Sequence, residues 1–354
     1  MNNFVKQQVL PYFAVSIDAS VTPLGNGHIN DTFLVRDQDT EFVLQRINTQ
    51  VFTTPDALIA NADKVSQHLT QKRTQSLYQL QVVAPIAAST GELAVDLGEQ
   101  GYWRAISYLD HSHSVEVIES EQQAEKAAKA FGHFANALSD LDATQLEDVI
   151  TKFHYLPGRI EALKQAAAID MYGRLGECQQ WFDLVLAQTE LLTELADIEA
   201  KLPLRTCHND TKINNMLFDK RDMSSLAIID LDTCMKGHLM YDFGDMVRTF
   251  TSPEAEDSTN LANVEVREAI FAAICRGYLA ELGQTLTELE RQSLWLGAKV
   301  MCLMIGVRFL TDHLDGDKYF NIHHPGHNLE RAANQFTLFQ SLLAQQAQLI
   351  SYLK

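Results

Sequence analysis

The spacing of apolar positions changes about a third of the way along the chain. Up to residue 109 they fall in short β-branched and aromatic stretches. Segments 31–36 and 41–47, joined by the polar Asp37-Gln38-Asp39-Thr40, predict a hairpin. Further strands are expected at 80–87, 92–97 and 102–109, with Thr90-Gly91 and 98–101 as turns. One helix interrupts them: Thr54 is placed to cap it, Pro55 starts its first turn, and Leu58, Ile59, Ala62, Val65 and Leu69 form its apolar stripe.

Beyond Ser120 the repeat becomes helical. Ser120 with Gln123 reads as a capping box, and Ala124, Ala127, Phe131, Ala135 and Leu138 recur at helical spacing behind it. Helices are predicted at 157–171, 176–201, 263–282, 286–313 and 327–353, and short strands at 216–218 and 226–231. The fold class that follows is α+β and bilobal. A small antiparallel N-lobe with one inserted helix (1–109) is joined near 107–113 to a large, mainly helical C-lobe (110–354), which is the plan of the protein kinases. At 354 residues both lobes can bury a core.

Composition narrows the setting. Five cysteines, with no Cys-x-x-Cys pair, indicate neither a disulfide framework nor a zinc cage and suit a reducing cytoplasm. Residues 1–11 lack the basic and apolar regions of a secretion signal, so a cytoplasmic location is expected. The apolar run 294–310 carries Lys299 and Arg308 and is short for a membrane span, so it is expected to be a buried helix. A net charge of −18 argues against nucleic acid as a partner and leaves any anionic ligand to a locally built site.

The chemistry concentrates in Cys207-His208-Asn209-Asp210-Thr211-Lys212-Ile213-Asn214-Asn215, followed by Ile228-Ile229-Asp230-Leu231-Asp232. Metal-assisted phosphoryl transfer needs a base for the attacking hydroxyl and oxygen ligands that hold magnesium against ATP. Asp210 fits the base, while Asn215 and Asp230 suit Mg²⁺, a hard ion that takes one or two protein ligands with phosphates and water. Asp232 faces with Asp230 if the strand continues, as a second metal group or a strand-end cap. His208 is expected to fix the loop. Asp242-Phe243-Gly244 has the letters of a kinase magnesium motif, but that place is taken by Asp230, so Asp242 is expected to start a helix 243–250 and buttress the loop.

At the front of the chain, Gly25-Asn26-Gly27-His28-Ile29-Asn30 could let backbone amides approach a nucleotide phosphate, though a hairpin turn explains the glycines nearly as well. Kinases place a phosphate-binding lysine on the next strand. Here the position reads Gln45 with Arg46 beside it, on opposite faces by alternation, and which of them meets the nucleotide is open. In the C-terminal half Arg308 shares a helical face with Met301, Met304 and Ile305 and needs a partner, either a ligand or Asp312. Tyr319 could line the same cleft. His323, His324 and His327 lack a regular metal-ligand spacing.

The string from His208 to Asn215 with Ile229-Asp230-Leu231-Asp232 resembles the aminoglycoside phosphotransferase and choline kinase superfamily. Within it, 27–32, 45–48 and 308–317 are similar to the bacterial N-acetylhexosamine 1-kinases. That resemblance implies transfer of the ATP γ-phosphoryl group to the anomeric hydroxyl of N-acetylglucosamine or N-acetylgalactosamine. Asp210 would be the catalytic aspartate, Asn215 and Asp230 the metal ligands, and Arg308 and Tyr319 the sugar contacts. Other acceptors of the same fold, such as an aminoglycoside, choline or an amino alcohol, are the first alternative. A non-catalytic pseudokinase is the second, motivated by the absent lysine. The expected assembly is a monomer or a homodimer.

Overall fold

The computed structural model describes residues 2–25 and 29–354. Its N-terminal sheet is antiparallel throughout, in the order Ser20–Pro23, Asp31–Asp37, Thr40–Ile47, Tyr102–Ser107, Pro85–Ile86, with Ala94–Asp96 also paired to Tyr102–Ser107. One face buries Phe33, Val35, Phe42, Leu44, Trp103 and Ala105 in a core of its own. Strand alternation therefore turns Thr32, Gln45 and Arg104 to the other face, toward the second lobe.

The inserted helix Pro55–Thr74 begins as expected with proline at its first turn, but the Thr54 side chain makes no capping bond. Its stripe packs in two directions: Leu58 and Ile59 meet Met235, while Ala62, Val65 and Leu69 join the core of the helical lobe. Asn61, 1% exposed, ties it down by donating to the carbonyls of Glu147 (2.9 Å) and Cys234 (3.0 Å) and accepting from the Glu147 amide (3.0 Å). Three bonds on one buried asparagine fix the helix, whose Ile59 and Ala62 line the cleft. Strand Gln81–Val82 likewise pairs in parallel with Ser225–Ile228, so chain on the N-terminal side of residue 109 enters the sheet under the helical lobe.

In the helical lobe, Glu121–Ala137 packs on Glu268–Leu282, and Glu288–Leu314 packs on both Leu239–Phe250 and His327–Ala344. Ser120 caps its helix by accepting from the Gln123 amide, but the return bond goes to the Glu119 amide, so the box is half formed. The complete box is Thr287 with Glu290, at the head of the central helix Glu288–Leu314. That helix is long and apolar enough to cross a membrane, but 83% of its apolar window is buried inside the protein, and Lys299 is paired with Glu194 at 2.9 Å. The expected helix 176–201 is broken into Leu175–Leu186 and Thr189–Glu199, and 263–282 begins only at Glu268.

Helix Leu239–Phe250 starts four residues before the expected 243. It lies against the central helix where two glycines meet: a Cβ on Gly244 would stand 2.2 Å from the Gly297 carbonyl oxygen, and one on Gly297 would stand 2.0 Å from that of Met240. Gly244 is required by this close approach, which explains the third letter of the Asp-Phe-Gly string without any metal.

Candidate active site

The catalytic loop is held from below by Asp242. Its carboxylate accepts the backbone amides of His208 (3.0 Å) and Asn209 (2.7 Å), and its carbonyl accepts the Thr211 hydroxyl (2.6 Å). Burial, above all, pushes the Asp242 carboxyl up to about 7, while these two amides pull it down. His208 sits fully buried between Phe131 and Phe134. Its Nε2–H donates to the Ile229 carbonyl (2.9 Å) and its Nδ1 accepts the Asp210 amide (3.3 Å). Both partners have fixed roles, so one neutral tautomer satisfies both ring nitrogens, and burial lowers the ring's pKa. The histidine orients the loop and has no proton to shuttle.

These contacts place Asp210 at the cleft. Asn215 donates through Nδ2 to the Asp210 carbonyl (2.8 Å) and to its Oδ2 (2.9 Å), and Lys212 Nζ lies 3.4 Å from the same oxygen. Burial works to raise the carboxyl, but Lys212, His208, Arg248 and the Asn215 amide outweigh it and hold it below its usual value. Asp210 is therefore ionised and able to accept a proton.

Asp230 follows strand Ser225–Ile228 with φ 61°, a left-handed conformation that costs energy for any residue with a Cβ. The Ile229 amide donates to the Asn215 carbonyl (2.9 Å) and so sets the two expected metal ligands side by side. The Asp230 carboxylate has no hydrogen-bond donor among the described residues. It is accessible within the cleft, yet protein walls surround it, and that enclosure, followed by the Asp232 and Asp210 carboxylates, raises it to about 7. A carboxylate without donors beside two others, with the Asn215 amide oxygen also unpaired, suits a divalent cation.

Asp232 differs from its expectation. The chain turns at Asp230 into a 3₁₀ turn, Leu231–Thr233, so strand alternation no longer applies. Asp232 is 2% exposed and both oxygens are taken by the N-terminal lobe: Arg104 Nη2 on Oδ1, and Asn30 Nδ2 on Oδ2 at 2.9 Å. Asn30 also accepts the Asn48 amide (2.9 Å). It thus joins the two lobes. Gly25, at φ 71°, lines the cleft, while Gly27 and His28 lie outside the described residues.

The cleft holds about 690 Å³ and includes Gln45, Arg104, Asp210, Asn215, Asp230 and Arg308 in its walls. Gln45 faces it, donating to the Thr32 hydroxyl (3.2 Å) and accepting from Arg104 Nε (2.9 Å). Arg46 points to the opposite face, 3.8 Å from Asp31, and does not reach this cleft. Arg104 was not foreseen from the sequence. Alternation with the buried Trp103 and Ala105 was available as a signal for its direction, but its pairing with Gln45 depends on register.

At the far end of the cleft, the Arg308 guanidinium lies over the rings of Phe153 (5.4 Å), Tyr319 (5.7 Å) and Phe320 (5.4 Å), with Nη2 3.4 Å from the Tyr319 hydroxyl. No carboxylate within ion-pair distance neutralises it among the described residues. Asp312, the partner considered for it, is already engaged: it accepts the amides of Lys318, Tyr319 and Phe320 (2.8–2.9 Å) and Asn328 Nδ2 (2.9 Å). It thereby shapes the aromatic loop around Arg308. Behind the arginine, burial and then the charge of Arg308 drive the His154 ring down to about 3 and lower Arg159. The three C-terminal histidines are paired instead as His324 with Glu330 (2.7 Å), His327 with Asp257 (3.3 Å) and His323 N with His327 Nδ1 (3.2 Å).

An oriented carboxylate at Asp210, the neighbouring oxygen-bearing side chains of Asn215 and Asp230 and a cleft between the lobes make up the candidate site. Residues 20–291 match the phosphotransferase enzyme family. The chain belongs to that family. The fold is also that of solved relatives at low identity. A microcompartment-associated aminopropanol kinase is 17% identical, with TM-score 0.61, over 96% of this chain and 97% of that one. An aminoglycoside phosphotransferase from Alicyclobacillus acidocaldarius is 13% identical, with TM-score 0.64, over 98% and 96%. A choline kinase from Cryptosporidium parvum is 13% identical, with TM-score 0.56, over 95% and 93%. The protein-kinase-like α+β fold and membership of this phosphotransferase family stand on these matches.

Proposed function

We propose that this phosphotransferase moves the γ-phosphoryl group of ATP to the anomeric hydroxyl of an N-acetylhexosamine. The observation that carries the choice of acceptor is Arg308, a cleft cation ringed by three aromatic side chains and, among the described residues, neutralised by no carboxylate. Aminopropanol, choline and ethanolamine, for which kinases of similar fold are named, carry an amino or ammonium group that is cationic near neutral pH. A fixed positive charge repels such an acceptor. It suits a neutral molecule with carbonyl and hydroxyl oxygens, which the guanidinium can hydrogen-bond while the rings cover apolar ring faces. The similarity of 308–317 to the N-acetylhexosamine 1-kinases agrees with this reading.

In this scheme Asp210, ionised and oriented by Asn215 and Lys212, accepts the proton of the acceptor hydroxyl as the oxygen attacks the γ-phosphorus. Asn215 and Asp230 would hold Mg²⁺, which when bound would offset charge on the phosphate oxygens. Asp242 and His208 keep the loop from shifting. A coupled nucleotide-turnover assay over free hexosamines, their N-acetyl derivatives and amine acceptors tests the reading. N-acetylhexosamines should support turnover, and the product should release phosphate in mild acid, as an anomeric phosphate does. Turnover with amines alone, or an acid-stable product, would overturn it.

A further inference from the structure

We propose that Arg104 is the N-lobe cation that binds the nucleotide's phosphates, in place of the lysine missing at Gln45, and that Asp232 holds it in position for that task. The proposal rests on the donor half of the function above and is independent of the acceptor.

Gln45 and Arg104 are direct partners across two antiparallel strands, Thr40–Ile47 and Tyr102–Ser107. Adjacent strands lie about 4.8 Å apart, a gap that the long arginine side chain can bridge to reach the space in front of its neighbour. Gln45 steers it there by accepting Nε at 2.9 Å, and is itself fixed by the Thr32 hydroxyl. Strand Thr40–Ile47, which carries no cation toward the cleft, thus orients the one on its neighbour. Among the described residues, Arg104 is the single cationic side chain that the N-terminal lobe contributes to the cleft. Arg46, the other basic residue nearby, faces away.

The second set of contacts argues against a structural bond alone. Arg104 is 4% exposed and spends Nε on Gln45 and Nη2 on Asp232, while Nη1 has no hydrogen-bond partner among the described residues although the side chain lines the cleft. A guanidinium that keeps one terminal nitrogen free of protein partners at a cleft wall can donate a charge-assisted bond to a phosphate oxygen there. Asp232 is two residues beyond Asp230, so one short turn carries both the expected metal ligand and the arginine's anchor. Phosphate oxygens held at Asp230 by a cation would be brought beside Arg104.

The test is equilibrium binding, without acceptor, of ATP, ADP and adenosine to the wild-type chain, Arg104→Met and Arg104→Gln, with Mg²⁺ present and melting temperatures measured alongside. Loss of a charge-assisted phosphate bond should weaken ATP and ADP about tenfold or more in both variants and leave adenosine within about twofold of wild type. The glutamine variant keeps a polar donor where Arg104 Nε meets Gln45, so if the methionine variant does not fold, it carries the same comparison alone. ATP affinity within about twofold of wild type, or adenosine weakened as much as ATP, would overturn the proposal and leave Arg104 as a link between lobes. A wild-type chain that binds no nucleotide would instead bring down the donor reading itself.

Discussion

The two ends of the cleft carry opposite charge, and each is unbalanced in the way its ligand would correct. On one side Asp210, Asp230 and Asp232 lie near one another, and Asp230, with no hydrogen-bond donor among the described residues, is lifted to about 7 by its enclosure first and then by the Asp232 and Asp210 carboxylates. On the other, Arg308 is stacked on aromatic rings beside His154, which burial first and the Arg308 charge second keep uncharged. The acidic end calls for a cation and the basic end excludes one. Separate helices support them: Asp242, on Leu239–Phe250, braces the acidic loop, and Glu288–Leu314 carries Arg308. A general acidity of −18 hides this division, since the overall charge says nothing of where arginines are left unpaired.

The comparison is broken most severely at Asp210. Asp210→Asn keeps the shape and the Asn215 contact on one side but removes the proton acceptor, so kcat should fall by roughly 10²–10⁴ while the melting temperature stays near wild type. Steady-state turnover with the best acceptor, alongside thermal unfolding, measures both. Unchanged turnover would place the base elsewhere.

Next in size is the basic end. Arg308→Leu should reduce kcat/KM for a neutral N-acetylated sugar by about 10- to 100-fold, the loss expected for about 1.5–3 kcal/mol of hydrogen bonding to a charged group. ATP affinity should not follow. Relief of repulsion should at the same time raise any trace turnover of an amine acceptor, and a variant that loses sugar and amine activity together would show that the arginine sets structure and not selectivity.

How much of this was visible in the amino-acid sequence depended on range. Asp210, Asn215 and Asp230 lie within one short stretch, so spacing alone predicted that they belong together, and the stripes at Leu58 to Leu69 and Ala124 to Leu138 marked faces that the structure buries. Contacts set by register or by chain direction after a strand end were not legible. Asp232 was assigned by alternation, but the left-handed turn at Asp230 redirects it to Arg104 and Asn30. Asp312 was a sensible partner for Arg308 by helical spacing, yet three backbone amides of the following loop compete for it and win. Residues at chain separations above a hundred, such as Arg104 with Asp232, meet only because the whole fold brings them together.

The two supporting helices touch at Gly244 and Gly297, so this contact sets the spacing between the acidic and basic ends. Gly244→Ala should destabilise the protein by about 1–3 kcal/mol, because the new methyl meets backbone that cannot rotate away. If the contact also positions the ends, kcat/KM should drop beyond what the unfolded fraction explains. Denaturant unfolding with turnover at a temperature where both proteins are folded separates the two. A stability equal to wild type would mean that the helices can shift apart freely.

The smallest effect expected is on pH dependence. The folded His154 ring is held at about 3, first by burial and then by Arg308, whereas an unfolded histidine titrates near 6.5. Between those values the unfolded chain binds a proton that the folded chain refuses, so this residue makes stability fall as pH drops from about 6.5 toward 3. Its ring packs between Phe153 and Tyr241 and bonds the Asn209 carbonyl at 3.1 Å, so His154→Gln keeps a donor without the titration. The variant should be somewhat less stable at neutral pH and lose less stability on acidification. In Arg308→Leu the acid sensitivity should also diminish, because one of the three causes of the lowered value, burial, Arg308 and Arg159, is gone. Melting temperatures of wild type and both variants at about pH 3.5 and about pH 7.5 provide the comparison, because a change in a folded value near 3 is felt only where the pH approaches it. An acid loss in Arg308→Leu equal to that of wild type would show that the Arg308 charge is screened before it reaches His154, and an equal loss in His154→Gln would show that this ring does not set the acid sensitivity.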